Sequence, residues 1–398
     1  MTTAAWSPPR RTITTASTDR LAQNESAALY LGLISGTSAD GIDAALASFE
    51  PALRLHAALT HPYPVELRAR ILELAQGDGA TTLDEIGALD AAIGACFADA
   101  AQSLLERARI EPREVRAIGS HGQTLRHRPY AQPRFTLQLG DPNLVAERLQ
   151  VTTVADFRRA DFAAGGHGAP LLPIFHAALF ASATETRGVL NLGGIANLTV
   201  LRPDGPVSGF DVGPANGLLD AWCTTHTGEA FDRDGAFAAR GKVDRALLER
   251  LREDEYFHVA PPKSTGREHF HMDWLRARLG ADAPPAEDVQ ATLVELTARS
   301  VADALQAYAG GARDVLACGG GVHNPLLMRA LAGALAPRRL RSTAEFGVDP
   351  DYIEAMAFAW LARERLAGRT GNLASVTGAK GQRVLGGVYA PFPRMSNR

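Results

Sequence analysis

The sequence predicts an α/β protein of two similar halves with a ligand cleft between them. Three observations predict it. Short apolar runs of strand length alternate with longer runs of helical periodicity. A strand, glycine-rich turn, strand pattern occurs twice, about 155 residues apart. The glycines, 38 in a chain of 398 against a usual share of about 7%, gather at the ends of apolar runs, where functional turns sit.

Residues 29–34 (LYLGLI) and 44–49 (AALASF) read as strands, and SGTSADGID (35–43) makes the turn between them. Pro64 opens a helix with Leu67, Ile71 and Leu74 at helical spacing. A second helix runs from about Leu83 to Leu105 with Ile86, Leu89, Ile93 and Phe97 on one stripe. Residues 115–119 (VRAIG) read as a buried strand ending in SHGQT, and 151–155 (VTTVA) as another ending in DFRRAD. The second half repeats the opening. Residues 187–192 and 197–201 are strands around GGIA, and 207–212 is a third strand ending in GPAN. A long helix follows near 288–309, then a strand at 314–318, the turn GGG (319–321) and a helix from Asn324–Pro325. Asn324 as N-cap with Pro325 in the first turn is a strong start signal. The last helix spans about 352–367.

At about 150 residues per domain the length allows two or three domains. The expected bounds are 28–160 and 161–367. Residues 368–398 are expected to pack back on the first domain, and 1–27 to form a flexible tail. That tail is rich in Ser and Thr and lacks the apolar stretch of a secretory signal. Formal net charge is −3, from 41 basic and 44 acidic residues, with no basic block to bind nucleic acid. Cys96, Cys223 and Cys318 are far apart, with no CxxC pair. They exclude a disulfide framework and a cysteine-rich zinc site, and fit a reducing cytoplasm. No apolar run approaches 18 residues, so no membrane span is expected.

Several turns could carry chemistry. In SGTSADGID, Gly36 and Gly41 allow close backbone approach to a ligand, and successive N–H groups in such a turn form an anion nest. Thr37 and Ser38 add hydroxyls. Asp40 and Asp43 suit an anion site only with a cation present, which Mg²⁺ on ATP would supply. A plain polar hairpin is the other reading. Neither GxxxxGK[ST] nor a complete GxGxxG occurs, so the P-loop and dinucleotide fingerprints are lacking. NLGGIAN (191–197) is the second glycine turn. Asp211, at the end of the next strand, is placed as a general base or as a turn residue. CGGG (318–321) could let a flat group lie on the backbone, or be a tight strand-to-helix turn. AGGHGAP (164–170) is a fourth glycine-rich loop. His121 and His167 could be catalytic residues or metal ligands, but no HxxxH or carboxylate triad accompanies them, so packing or hydrogen bonding is the preferred reading. Arg158, Arg159 and Asp161 could grip a carboxylate and hydroxyls of a substrate, or form a surface ion pair.

SGTSADGID, GSHGQT, DFRRAD, GAPLLP, NLGGIANL, FDVGPANGLLDAW, FDRDG, PPKSTGRE, DVQATLVELTA, CGGGVHN and EAMAFAWLA occur in one order. Together they resemble the anhydro-N-acetylmuramic acid kinase family over roughly residues 28–392. The resemblance implies two actin-like domains (ribonuclease-H-like, of the hexokinase and Hsp70 superfamily) flanking an active-site cleft. It implies an enzyme of peptidoglycan recycling that uses ATP, Mg²⁺ and water to open 1,6-anhydro-N-acetylmuramic acid and phosphorylate O6. By motif, Asp211 resembles the catalytic base. Gly36, Thr37, Ser38, Ala39, Asp40, Gly41 and Asp43, with Gly193 and Gly194, resemble the phosphate loops. Gly319, Gly320 and Gly321 resemble the adenosine loop. Thr124, Arg159 and Glu354 resemble sugar contacts, Arg159 suiting the lactyl carboxylate. Mg²⁺ would come with ATP and meet Asp40, and a homodimer is a family-level expectation. Two positions depart from the family's pattern. His167 stands where AGGQGAP is usual, and Ala160 where DFRRRD is usual.

An ordinary hexose kinase on the same scaffold is the near alternative. A chaperone-like ATPase expects an appended peptide-binding domain, and a repressor on this scaffold expects a helix-turn-helix ahead of residue 28. Neither is expected here.

Overall fold

In the computed structural model, which describes residues 28–76, 80–266, 269–280 and 283–392, the alternation of strands and helices becomes two sheets. The first half contains β1 (Leu29–Ser35), β2 (Ile42–Ser48), β3 (Arg54–His61), α1 (Val65–Gln76), α2 (Leu83–Ala108), β4 (Val115–Arg128), β5 (Phe135–Leu139), α3 (Pro142–Leu149), β6 (Thr153–Ala155) and α4 (Arg159–Ala163). Then follow α5 (Leu172–Phe180), β7 (Arg187–Leu192), β8 (Ile195–Leu201), β9 (Ser208–Pro214), α6 (Asn216–Thr227), α7 (Arg245–Arg252), α8 (Met272–Leu279) and α9 (Ala286–Tyr308). The chain closes with β10 (Asp314–Cys318), α10 (Pro325–Leu335), β11 (Arg339–Ser342), α11 (Ile353–Leu366), α12 (Ala374–Thr377) and β12 (Gly387–Tyr389). The tail expected over residues 1–27 lies outside the described residues.

The two sheets share one strand order. The first runs β12-β6-β4-β1-β2-β3, with β5 on the far half of β4, and the second runs β11-β10-β7-β8-β9. In each, the first two strands form an antiparallel hairpin, and the first strand also pairs in parallel with a strand reached through helices. Parallel partners need such a crossover, which α1 and α2 supply in one half and α6 to α9 in the other. This duplicated order is the actin-like arrangement, so the fold expectation holds.

Local chemistry sets the helix ends. Thr82 caps α2 by accepting from the Glu85 N–H at 3.1 Å. Asn324 caps α10, its Oδ1 accepting from the N–H groups of Leu326 and Leu327 at 3.1 Å each. α2 is long and apolar enough to cross a membrane by length and composition alone. It is a core helix here, burying Leu89, Ile93, Phe97 and Leu104 in the core of the first half.

α11 joins the halves. A Cβ on Gly32 of β1 would stand 1.8 Å from the Ala355 carbonyl oxygen, and one on Gly119 of β4 would stand 2.0 Å from that of Phe358. Only hydrogen at these positions lets the helix backbone lie on the sheet. Its other faces, including Met356 and Phe358, enter a core shared by Ile34 and Phe157 from the first half and Val189 and Leu316 from the second. Burial on several sides explains why α11 carries no clear polar stripe.

Several strand readings change, among them 44–49, which becomes Ile42–Ser48, and 207–212, which becomes Ser208–Pro214. The strand at 115–119 does not end at SHGQT. It continues to Arg128 and changes partner from β1 and β6 to β5. Gly122 permits the bend, at φ 76°, where a Cβ would meet the Leu139 carbonyl at 2.5 Å. The strand at 151–155 shortens to β6, with Val151 buried ahead of it. The strand read at 197–201 starts two residues earlier, at Ile195.

Candidate active site

The hairpin turn between β1 and β2 is fixed from behind. Its Gly36 carbonyl accepts from the Ala39 N–H at 3.1 Å and from Gln123 Nε2 at 3.1 Å. Arg68 of α1 donates Nε to the Ala39 carbonyl at 3.0 Å and Nη2 to the Ser38 carbonyl at 3.3 Å. Ala39 is fully buried with φ 49°, a left-handed conformation that these bonds sustain. Gly36 and Thr37 are exposed and Ser38 partly so. Carbonyls are thus consumed on the protein side while hydroxyls stand at the surface.

The two aspartates of the hairpin differ. Asp40 is exposed and pairs with Arg68 Nη2 at 2.7 Å. Asp43 is half-buried, accepts from Thr60 Oγ1 at 2.6 Å, and is pushed up to about 6 by burial, with Asp351 and Asp40 adding to the rise. Glu354, at the start of α11, is likewise raised by burial and by the negative charge of Asp43, while Asn191 and Arg158 oppose the rise. Asn191 Nδ2 donates to Glu354 Oε1 at 2.9 Å.

The two glycine turns of the second half pack on one another. The Gly193 carbonyl accepts from the Asn216 N–H at 3.1 Å, and the Gly194 carbonyl from Ala215 and Gly217 at 3.1 and 3.0 Å. Gly319 has φ 82° and lies where a Cβ would stand 2.3 Å from Asn191 Oδ1. A Cβ on Gly321 would meet Leu192 Cβ at 2.6 Å, whereas Gly320 faces open space. Two of the three glycines are therefore required for turn packing, and Gly320 is the one open to a ligand.

Asp211, on β9 opposite Asn197 of β8, is partly buried. Its Oδ2 accepts from Ser264 Oγ at 2.9 Å and from the Thr265 N–H at 3.0 Å. Its backbone N–H donates to the Lys263 carbonyl at 3.3 Å, and its carbonyl accepts from the Tyr256 hydroxyl at 2.8 Å. Lys263 Nζ lies 4.6 Å from the Tyr256 ring centroid and donates to the Tyr256 carbonyl at 2.9 Å. Burial lowers the Lys263 pKa, and Asp211 opposes that shift.

Thr124 and Arg159 lie in the first half, at or next to one cavity. Arg159 lines a cavity of about 210 Å³ with His121, Gln138, Asn143, Asp156 and Tyr389. Its guanidinium is largely exposed and pairs with Asp156 at 2.7 Å. Thr124 Oγ1 accepts from Gln138 Nε2 at 3.2 Å, which ties it to the cavity wall.

Other readings of this region are corrected. Asp161 grips no substrate. It is fully buried, accepting from Asn372, Thr377 and the Gly168 N–H at 2.6, 2.7 and 2.7 Å, and so ties the 164–170 loop to the chain near α12. Arg158 is no surface ion pair. Its Nε donates to His121 Nε2 at 2.9 Å and its Nη1 to the Gly168 carbonyl at 2.7 Å, while burial pushes its pKa down to about 10. His121 must then accept at Nε2 and donate from Nδ1 to the Gly122 carbonyl at 2.9 Å, which makes it neutral. Burial and Arg158 hold its pKa well below the usual histidine range. His167 packs edge-on against Tyr130 with ring centroids 5.1 Å apart, as a packing role requires.

The structure thus brings the hairpin, both glycine turns and Glu354 to one seam, with Asp211 on the strand beside the 193–194 turn. Sequence reasoning missed Arg68, Gln123, Tyr256, Ser264 and Thr265. PPKSTGRE held the last two, but short polar residues in a loop carry no periodic signal. Among the described residues, no group of three or more His, Cys, Asp or Glu side chains is placed to hold a metal ion. A cation here would need oxygen ligands from the nucleotide as well.

The family model for anhydro-N-acetylmuramic acid kinase matches residues 28–391. A protein of that name from Xanthomonas axonopodis pv. citri (strain 306) is 56% identical over 365 residues, covering 91% of this chain and 98% of that protein. Another, from Xylella fastidiosa (strain Temecula1 / ATCC 700964), is 53% identical over 367 residues, covering 91% and 96%. Among solved structures, the activator of the 2-hydroxyisocaproyl-CoA dehydratase from Clostridium difficile with bound ADPNP aligns with a TM-score of 0.45 at 12% identity, covering 85% of this chain and 96% of that one. A ROK family glucokinase from Streptomyces griseus in complex with glucose and AMPPNP aligns with a TM-score of 0.36 at 13% identity, covering 84% and 99%.

Proposed function

The chain belongs to the anhydro-N-acetylmuramic acid kinase family, and from that premise we propose the reaction it performs. Water opens the anhydro ring of 1,6-anhydro-N-acetylmuramic acid, and the freed O6 takes the γ-phosphoryl group of ATP. The products are N-acetylmuramic acid 6-phosphate and ADP, a step of cell-wall recycling.

The observation that carries this reading is the placement of Asp211. It lies on β9 with its carboxylate anchored by Ser264 and Thr265, and residues 215–217, which follow that strand, hydrogen-bond to the 193–194 turn. From there Asp211 takes a proton from water as the water oxygen attacks C1. The C1–O6 bond breaks, and its electron pair leaves on O6. O6 then bonds to the γ-phosphorus while the bridging oxygen departs with ADP. A positioned base of this kind contributes about 10²–10⁴-fold, and the remaining acceleration comes from positioning and charge neutralisation around the phosphates.

The roles of the other residues follow their places. Gly36, Thr37, Ser38, Ala39, Asp40 and Gly41 grip the phosphates from one side and Gly193 and Gly194 from the other. Gly320, flanked by Gly319 and Gly321, receives the adenosine. Thr124, Arg159 and Glu354 hold the sugar, with Arg159 on its carboxylate. Asp43 fits a divalent cation better than Asp40, because burial disfavours its charge while Asp40 is already paired with Arg68. Mg²⁺ bound with ATP would neutralise phosphate charge.

An assay of ADP release tests the reading. ADP is expected with the anhydro-sugar and only background with glucose or N-acetylglucosamine. Equal release with glucose would replace this reading with an ordinary hexose kinase.

A further inference from the structure

We infer that Ser264 is the positioning residue of the base: its hydroxyl sets the orientation of the Asp211 carboxylate and keeps it ionised. This rests on the reading of Asp211 as the base. The segment from Tyr256 to Thr265 holds Asp211 at four points. Ser264 Oγ and the Thr265 N–H both donate to Oδ2, at 2.9 and 3.0 Å. The Lys263 carbonyl takes the Asp211 N–H at 3.3 Å, and the Tyr256 hydroxyl donates to the Asp211 carbonyl at 2.8 Å. Lys263 is itself held by the Tyr256 carbonyl at 2.9 Å.

Two consequences follow from chemistry. The terminal torsion of an aspartate is soft, so a carboxylate left alone samples a broad range. Two donors on one oxygen fix its plane. A base must stand within about 2.6–3.2 Å of the proton it takes, and a misplacement of about 1 Å can cost about 10²-fold. Donors to a carboxylate also favour its charged form, which is the form that accepts the proton. The Thr265 hydroxyl is buried without a hydrogen-bond partner among the described residues, so Thr265 reaches the carboxylate through its backbone N–H. Of these two donors, both among the described residues, that of Ser264 is the one that depends on the side chain.

The test compares wild type, Ser264→Ala, Ser264→Thr and Asp211→Asn as full-length proteins. Single-turnover rates, KM for both substrates, the pH profile and melting temperature are measured for each. Ser264→Ala is expected to lose about ten- to a hundredfold in the single-turnover rate. Its KM values should stay within about twofold, and the acidic limb of the profile should move to higher pH. Ser264→Thr, which keeps the hydroxyl, should restore rate and limb. A Ser264→Ala enzyme with the wild-type rate and limb, beside an inactive Asp211→Asn, overturns the inference alone. So does a lower melting temperature without any displacement of the limb. An active Asp211→Asn enzyme overturns the underlying reading instead.

Discussion

Asn191 and Glu354, 163 residues apart in the chain, meet at 2.9 Å where the second sheet abuts the helix lying on the first. Asn191 is the last residue but one of β7, beside the glycine turns, and Glu354 lies in the first turn of α11 within reach of the charge of Asp43. This contact ties the end of β7 to α11 at a carboxylate that the charge of Asp43 also reaches. Two acidic groups are raised at this seam, and the Asn191 bond opposes the rise at Glu354. Each is shielded from water; the charge of Asp43 adds to the rise at Glu354, and those of Asp351 and Asp40 add to the rise at Asp43.

Replacing Asp211 by Asn keeps size and hydrogen bonding but removes the base. The turnover number is expected to fall at least about 10²-fold, while ATP affinity measured by calorimetry stays near that of wild type. Activity within about tenfold of wild type would remove Asp211 from the reaction.

Asp43→Asn should gain stability and lose nucleotide binding. The folded carboxyl binds its proton up to about 6, against 3.8 when unperturbed. Between those values the folded state holds more protons than the unfolded one, so wild-type stability falls as pH rises through the interval. The Asn variant lacks this loss. It should melt higher than wild type at pH 8, and the difference should vanish as pH falls towards 4. Its Mg²⁺-dependent gain in ATP affinity should shrink about tenfold. An unchanged Mg²⁺ dependence would return the cation to another residue.

Arg68→Ala isolates the hairpin anchor. The Arg68–Asp40 pair is exposed on both sides, so its loss should change stability by less than about 1 kcal/mol. The carbonyls of Ser38 and Ala39 would lose their donor. KM for ATP should rise about tenfold with KM for the sugar unchanged. A change confined to the sugar would contradict the phosphate role of this turn.

Gly32→Ala tests the seam between α11 and β1. The added Cβ would stand 1.8 Å from a backbone oxygen that no rotamer can move aside. Helix and sheet must separate, at a cost of about 3 kcal/mol. Chemical denaturation should show it, and a melting curve like that of wild type would mean that α11 does not lie as described.

The hairpin and the cap of α10 are legible in the sequence because their causes are local. Glycines set the turn at 36–41, and Asn324 with Pro325 starts a helix whatever lies elsewhere. The far half of β4 is not legible. Its residues from Ser120 onward are mostly polar, Leu125 excepted, and they form a strand because β5 pairs with them, a partner the sequence does not announce. The difference between Asp40 and Asp43 is likewise hidden, since it depends on Arg68 arriving from α1. Asp211 is legible as a carboxylate on a strand, although β9 runs on to Pro214 and does not end beside it. Its clamp is not, because Ser264 and Thr265 come 53 and 54 residues later, from a loop without periodicity.

The central claim is that water opens the anhydro ring in the step that frees O6 for phosphorylation. Turnover of the anhydro-sugar in ¹⁸O-water, quenched early and read by mass spectrometry, tests it directly. One ¹⁸O atom at C1 of the sugar 6-phosphate, with none in the phosphoryl group, is the predicted result. Unlabelled sugar phosphate, or label in phosphate released from ATP without sugar phosphate, would contradict it.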